Sequence, residues 1–169
     1  MTKFEDGYFY NPSKGNLAFD EVIKEIFSYI KEKSEMFYDI VVGCDSPSSE
    51  NVFFPVVIVV RRVGEGGRFF IKKMIYPESL NKKFVNWRQR ILEEVLLSCD
   101  LALLLKDALA KQSTGQFNYQ FRYIHADVGE VGQTRDMVKE IVGLIKSNGF
   151  EPKIKPESFA ASVIADRFT

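Results

Sequence analysis

The stretch Tyr38-Asp39-Ile40-Val41-Val42-Gly43-Cys44-Asp45 is rich in β-branched residues and almost continuously apolar until it stops at an acid. That pattern predicts a strand buried on both faces, because a strand with one wet face alternates polar with apolar residues. Such a strand needs covering layers, and the flanking sequence supplies them. Before it, Phe19, Val22, Ile23, Ile26, Phe27 and Ile30 recur at helical spacing, with Asp20 and Glu21 where a first turn favours acids, so a helix is expected over about residues 17–33. After it, residues 53–63 and 68–76 read as two strands joined by Gly64-Glu65-Gly66-Gly67, whose glycines supply the positive φ of a tight hairpin. Pro55 cannot donate to a ladder and is expected at a strand start or a bulge.

Further out, residues 82–111 read as a long helix. Trp87, Ile91, Leu101 and Leu105 form one apolar stripe, and Glu94 and Ser98 fall on that same stripe. Residues 119–128 read as a strand, with Phe121, Tyr123, His125 and Asp127 on one face and Ile124, Ala126 and Val128 on the other. A helix from Thr134 to a cap at Asn148-Gly149, a short strand over 150–155 and a last helix opened by Pro156-Glu157-Ser158 complete the chain. This order predicts an α/β fold: a five-stranded mixed sheet, three antiparallel strands followed by parallel ones, flanked by helices and preceded by an extra N-terminal helix. Its 169 residues make one domain, 1–169.

Twenty-three Lys and Arg balance twenty-three Asp and Glu, which excludes a strongly basic coat for nucleic acid. Positive charge is nonetheless concentrated in Arg61, Arg62, Lys72, Lys73, Lys82, Lys83, Arg88 and Arg90, with Tyr76 and Trp87 as stacking surfaces. A single His excludes zinc sites that need several imidazoles. No apolar stretch reaches the ~18–20 residues of a membrane helix. Residues 1–15 carry Lys3, Glu5, Asp6 and Lys14 without an apolar run, and the two cysteines lie far apart, so a reduced cytoplasmic setting without membrane contact is expected.

Four acids stand where apolar residues are usual or at element ends: Asp45, Glu94, Asp127 and, on the face it shares with Ser158 and Ser162, Asp166. If the strands ending at Asp45 and Asp127 are parallel neighbours, their carboxylates converge at the carboxyl ends, where open α/β sheets place ligands. Clustered carboxylates repel unless a cation neutralises them, and hard oxygen donors select Mg²⁺ or Mn²⁺. Two such ions about 4 Å apart can activate a water and stabilise the leaving oxygen in phosphodiester hydrolysis. Glu94 is preferred to Glu93, which lies on a face shared with Arg90 and Asp100 that reads as solvent. His125 reads as a hydrogen-bonded sheet residue and Cys44 as a small buried hydrophobe.

Phe9-Tyr10-Asn11, Gly43-Cys44-Asp45-Ser46, His125-Ala126-Asp127-Val128-Gly129 and the tail Lys155-Pro156-Glu157-Ser158-Phe159-Ala160-Ala161-Ser162 leading to Ala165-Asp166-Arg167 together carry a resemblance over nearly the whole chain. It resembles an uncharacterised bacterial family of small ribonuclease H-like proteins held to be nucleases. The chain departs from that family's usual residues at Cys44, where Thr or Ser is the rule, and at Pro47, where an amide side chain is. The resemblance implies a ribonuclease H-like fold, with Asp45, Glu94, Asp127 and Asp166 in the four acidic slots. It further implies a metal-dependent nuclease acting on RNA, DNA or a hybrid. The competing expectation is a non-catalytic module of the same fold that binds nucleic acid or a protein.

Overall fold

The computed structural model describes residues 2–113 and 115–160. Seven strands form one mixed sheet: β1 (Phe9–Asn11), β2 (Gly15–Leu17), β3 (Tyr38–Cys44), β4 (Phe53–Arg62), β5 (Gly67–Ile75), β6 (Tyr119–His125) and β7 (Glu151–Lys153). Their order across the sheet is β2-β1-β5-β4-β3-β6-β7. β3 and β4 pair antiparallel, as do β4 and β5, while β6 lies parallel to β3 and β7 parallel to β6. The four described helices are α1 (Phe19–Glu32), α2 (Glu78–Asn81), α3 (Trp87–Gln112) and α4 (Val138–Ser147).

β3 is the hub, as its composition predicts. Ile40, Val42 and Cys44 enter the main core with Val22, Ile26 and Ile30 of α1, Leu97, Leu101 and Leu105 of α3, and Ile141 and Ile145 of α4. Val41 points the other way, to a smaller cluster with Val57, Val59, Ile71 and Ala160, onto which Phe69, Tyr123 and Phe159 pack. Both faces of the strand are therefore dry, which explains why its sequence shows no polar alternation. The Gly64 and Gly66 φ angles of 88° and 90° close the β4–β5 hairpin, a conformation a Cβ would strain. Pro55 pairs with Lys73 on β5 one residue beyond the last β3 rung, Cys44 with Val56, so its missing N–H falls outside the three-strand centre of the sheet.

Four expected details differ. The five-stranded sheet gains β1 and β2, whose three residues each are too short to display a period. Asn11 builds their turn, accepting at Oδ1 from the Ser13 and Lys14 N–H groups at 2.9 Å and donating Nδ2 to the Phe69 carbonyl at 3.0 Å. The long helix over 82–111 is broken: α2 and a 3-10 turn at Lys82–Val85 precede α3, and extended Asn86 restarts the chain by accepting from the Arg88 N–H at 2.9 Å. Strict alternation fails in β6, because its register against β3 skips Arg122. Phe121 therefore packs in the main core beside Phe150, and Tyr123 in the opposite cluster. Finally, residues 155–157 form a turn after a cis Lys155–Pro156 bond, closed by Glu157 N–H to the Ile154 carbonyl at 2.8 Å, instead of opening a helix.

Candidate active site

Parallel pairing of β3 with β6 sets Gly43 opposite His125. Asp45 and Asp127 each lie two residues beyond that rung, so both leave the carboxyl ends of neighbouring strands. Glu94 approaches from α3, which crosses β3 and β6. Only 5% of Glu94 is exposed. Its Oε1 accepts from the Ser46 N–H at 2.9 Å and the Ser46 hydroxyl at 2.5 Å, so the residue next to Asp45 aims the glutamate. Burial pushes the Glu94 acid up to about 8; the charges of Asp45 and Asp127 push the same way, against the Ser46 hydrogen bonds. The two aspartates thus act on Glu94 as neighbours. Cys44 is fully buried, and burial together with the Glu94, Asp45 and Glu93 charges holds its thiol well above the usual range, which fits the inert hydrophobe.

Asp127 meets a cation: Lys155 Nζ lies 3.1 Å from its Oδ1. Backbone bonds place that lysine, whose N–H donates to the Val128 carbonyl at 2.8 Å. His125 is 2% exposed and accepts at Nδ1 from the Phe159 and Ala160 N–H groups, both at 3.2 Å. Burial, with Lys153 and Arg61 nearby, lowers its imidazole to about 4. A neutral histidine that anchors the chain after β7 is the structural role the sequence suggested. Asp166 and Ser162 lie outside the described residues.

Glu93 corrects one expectation. Rather than facing solvent it is half-buried and accepts from the Tyr76 hydroxyl. Tyr76 stacks on Phe84, and a cleft of about 580 Å³ lined in part by Glu50, Asn51, Asn81 and Lys82 opens beside it. Three of the eight residues of the basic middle third are corrected too, while Arg61, Lys73, Lys82, Lys83 and Arg88 are exposed. Arg62 is buried, donating to the Tyr38 hydroxyl at 3.0 Å and the Tyr29 carbonyl at 3.1 Å. Lys72 is buried and donates to the Asp6 carbonyl, and Arg90 donates to the Pro47 and Phe84 carbonyls at 2.8 and 3.2 Å. These cations hold the fold. Beside His125 the cations are Lys153 and, from the basic third itself, Arg61: Lys153 lies over the Tyr123 ring at 4.5 Å, with Arg122 over the same ring at 5.3 Å, and Arg61 over Phe159 at 5.8 Å.

Asp45, Glu94 and Asp127 offer only hard oxygen donors, and a divalent cation would offset both the burial and the neighbouring charges that raise the Glu94 acid; in donor chemistry the residues fit Mg²⁺ or Mn²⁺. Among the described residues, no three His, Cys, Asp or Glu side chains stand close enough to hold an ion as placed. Sequence reasoning missed Ser46 and Lys155 as members of the site. Both lie in motifs it singled out, Ser46 beside Asp45 and Lys155 at the head of the tail.

Among known proteins, the family model described as ribonuclease H-like matches residues 21–169. The chain is similar to an uncharacterised protein, YkuK, of Bacillus subtilis (strain 168), at 27% identity over 169 residues, covering 95% of this chain and 96% of that one. No solved structure matches. No described helix is long and apolar enough to cross a membrane.

Proposed function

The chain belongs to the ribonuclease H-like family, and from that premise we propose that it is a divalent-cation-dependent nuclease hydrolysing phosphodiester bonds of RNA or DNA at Asp45, Glu94, Asp127 and Asp166. The observation that supports this reading best is Glu94: a carboxylate buried on a helix, aimed by Ser46, and close enough to two strand-end aspartates that their charges raise its acid. A fold keeps such an arrangement against its own electrostatic cost when the cluster has a ligand.

A bound Mg²⁺ or Mn²⁺ would supply Lewis-acid stabilisation of phosphoryl oxygens and a more acidic water. Asp45 and Asp127 would hold that ion at the ends of β3 and β6, with Glu94, fixed by Ser46, and Asp166 as the further carboxylates of the set. His125 ties the chain that leads to Asp166 onto β6. Lys153, Arg122 and Arg61, spread over Tyr123 and Phe159, offer a backbone-binding flank outside the acids.

The test is cleavage of labelled hybrid, duplex RNA, single-stranded RNA and DNA, and branched DNA with Mg²⁺ or Mn²⁺, using Asp45→Asn and Asp127→Asn as controls. Cleavage that disappears in both variants, with their melting temperatures kept, is expected. Equal cleavage by wild type and both variants would refute the proposal, and binding of a substrate without turnover would favour the non-catalytic module.

A further inference from the structure

Phe9-Tyr10-Asn11 is a motif that the carboxylate site does not use, and the fold accounts for two of its three residues. Phe9 is buried in the main core against Phe19, and Asn11 builds the β1–β2 turn. Tyr10 is left over: 43% of it is exposed, and among the described residues its side chain makes no hydrogen bond or ring contact. Tyr8, one residue before β1, repeats the pattern at 63% exposed. Residues two apart along extended chain share a face and stand ~6.8 Å from each other. Tyr10 pairs with Ile71 of β5, which belongs with Val41 and Val57 to the smaller cluster, on the side of the sheet away from α1, α3 and α4. The same register carries Tyr8 toward Lys73. Lys73 is exposed, pairs with Pro55 one rung past Cys44 and Val56, and has its Nζ 5.2 Å over the partly buried Phe53 ring. That rung is the level at which Asp45 leaves β3. Tyr8 is thus three strand spacings of ~4.8 Å, roughly 14 Å, across the sheet from the acids.

We propose that Tyr8 and Tyr10, with Phe53 and Lys73 beside them, are a platform on which unpaired bases stack, so that the substrate of the carboxylate site is single-stranded nucleic acid rather than a duplex. The substrate assignment rests on the nuclease reading above; the platform itself is read by binding. A duplex keeps its base faces inside the helix and offers an exposed ring nothing, whereas a single strand lays successive bases on successive rings. Lys73 supplies a charge for the backbone between those rings and the acids. Lys153 and Arg122, over Tyr123, stand on the β6–β7 side. A strand laid across the sheet therefore meets cations on both sides of the acids. This charge pattern selects a polyanion over a protein segment, and unpaired rings beside it select one with free bases.

The experiment is fluorescence anisotropy of labelled oligo(dT), oligo(U) and a matching duplex in chelator, at several salt concentrations. The proteins are wild type, Tyr8→Ala, Tyr10→Ala, the double variant, Tyr10→Phe and Lys73→Gln, with each melting temperature as the fold control. Wild type should bind one or both single strands more tightly than the duplex, the two arms showing whether the strand is DNA or RNA. Each Tyr→Ala change should weaken single-strand binding ~5–150-fold and keep its salt slope, because stacking releases no counterions. Tyr10→Phe should bind like wild type, and Lys73→Gln should lower the salt slope. Equal single-strand affinity in wild type and the double variant, or a duplex bound as tightly as a single strand, would overturn the inference. Metal-dependent cleavage confined to duplex or hybrid would also overturn it and leave the nuclease reading standing. Tyrosine-dependent binding without cleavage of any substrate would support the platform and refute the nuclease reading. A sedimentation coefficient that falls in the double variant while strand binding is unchanged would assign the tyrosines to a second copy of this chain and overturn the inference.

Discussion

Replacing Glu94 by Gln isolates the electrostatic cost of the site. The Glu94 acid is raised from 4.5 to about 8, mainly by burial and then by Asp45 and Asp127. Between those two pH values the native chain keeps a proton that the unfolded chain has released, so each rise in pH favours unfolding. The slope is a little over ~1 kcal/mol per pH unit, roughly 3–4 kcal/mol between pH 5 and 8, a large part of the ~5–15 kcal/mol that holds a domain folded. The Gln amide oxygen accepts the same two Ser46 donors but carries no charge, so packing is kept and the slope is removed. His125 works in the opposite sense: its lowered imidazole makes stability fall as pH drops from 6.5 toward about 4. The wild-type curve alone therefore mixes two slopes, and the difference between wild type and Glu94→Gln cancels the histidine. Urea unfolding in chelator at pH 5, 6, 7 and 8 should show the two proteins near parity at pH 5 and the variant ahead by a growing margin above it. Parallel curves would refute the reasoning. Adding Mn²⁺ to wild type should stabilise it more at pH 8 than at pH 5, because a cation favours the ionised glutamate.

Three further outcomes follow from named contacts. His125→Asn places an amide oxygen where Nδ1 accepts, so it should keep most of the stability and lose the dependence between pH 6.5 and 4. His125→Ala strands two buried N–H donors and should cost ~1–3 kcal/mol at pH 7, both read by urea unfolding. Ser46→Ala removes the 2.5 Å hydroxyl donor from Glu94 and should move its acid above its present value of about 8, measured by carboxyl ¹³C titration; an unchanged value would show that the hydroxyl does not hold the carboxylate. Gly67→Ala drives a Cβ to 2.7 Å from the Val60 carbonyl oxygen inside the β4–β5 ladder and should destabilise by ~1–3 kcal/mol in thermal unfolding, while Gly115→Ala, which meets nothing within 4 Å, should not.

The parts of this molecule that a sequence exposes are those where the cost of a residue is local. β3 was legible because burial on both faces leaves no polar alternation, and the β4–β5 hairpin because its glycines answer a backbone requirement within four residues. β1 and β2 were not, since three residues carry no period and their stability comes from Asn11 reaching Phe69 on β5. The skipped Arg122 rung in β6 was illegible for a related reason: a bulge is set by the partner strand's register, and Phe121, Arg122 and Tyr123 alternate in sequence as if it were absent.

The same distinction separates the acids of the site from its cations. An acid on an apolar stripe is anomalous wherever the stripe packs, because burying a charge is costly in any core, and so Glu94 announced itself. A lysine or arginine announces nothing, because its long stem lets the charge reach water, a carbonyl or an acid from the same Cα. Arg62 and Lys72 read as a nucleic-acid patch and instead satisfy Tyr38 and the carbonyls of Tyr29 and Asp6. Lys155 stood only at the head of the tail motif, and in the structure it reaches Asp127 over Gly129, a contact that depends on β6 and β7 being parallel neighbours. On the proposed nuclease reading, a phosphate backbone would be met by the flank of Lys153, Arg122 and Arg61 over Tyr123 and Phe159. Charge reversal there should weaken nucleic-acid retention and its salt dependence, whereas reversal at Lys82 or Lys83 should leave both unchanged.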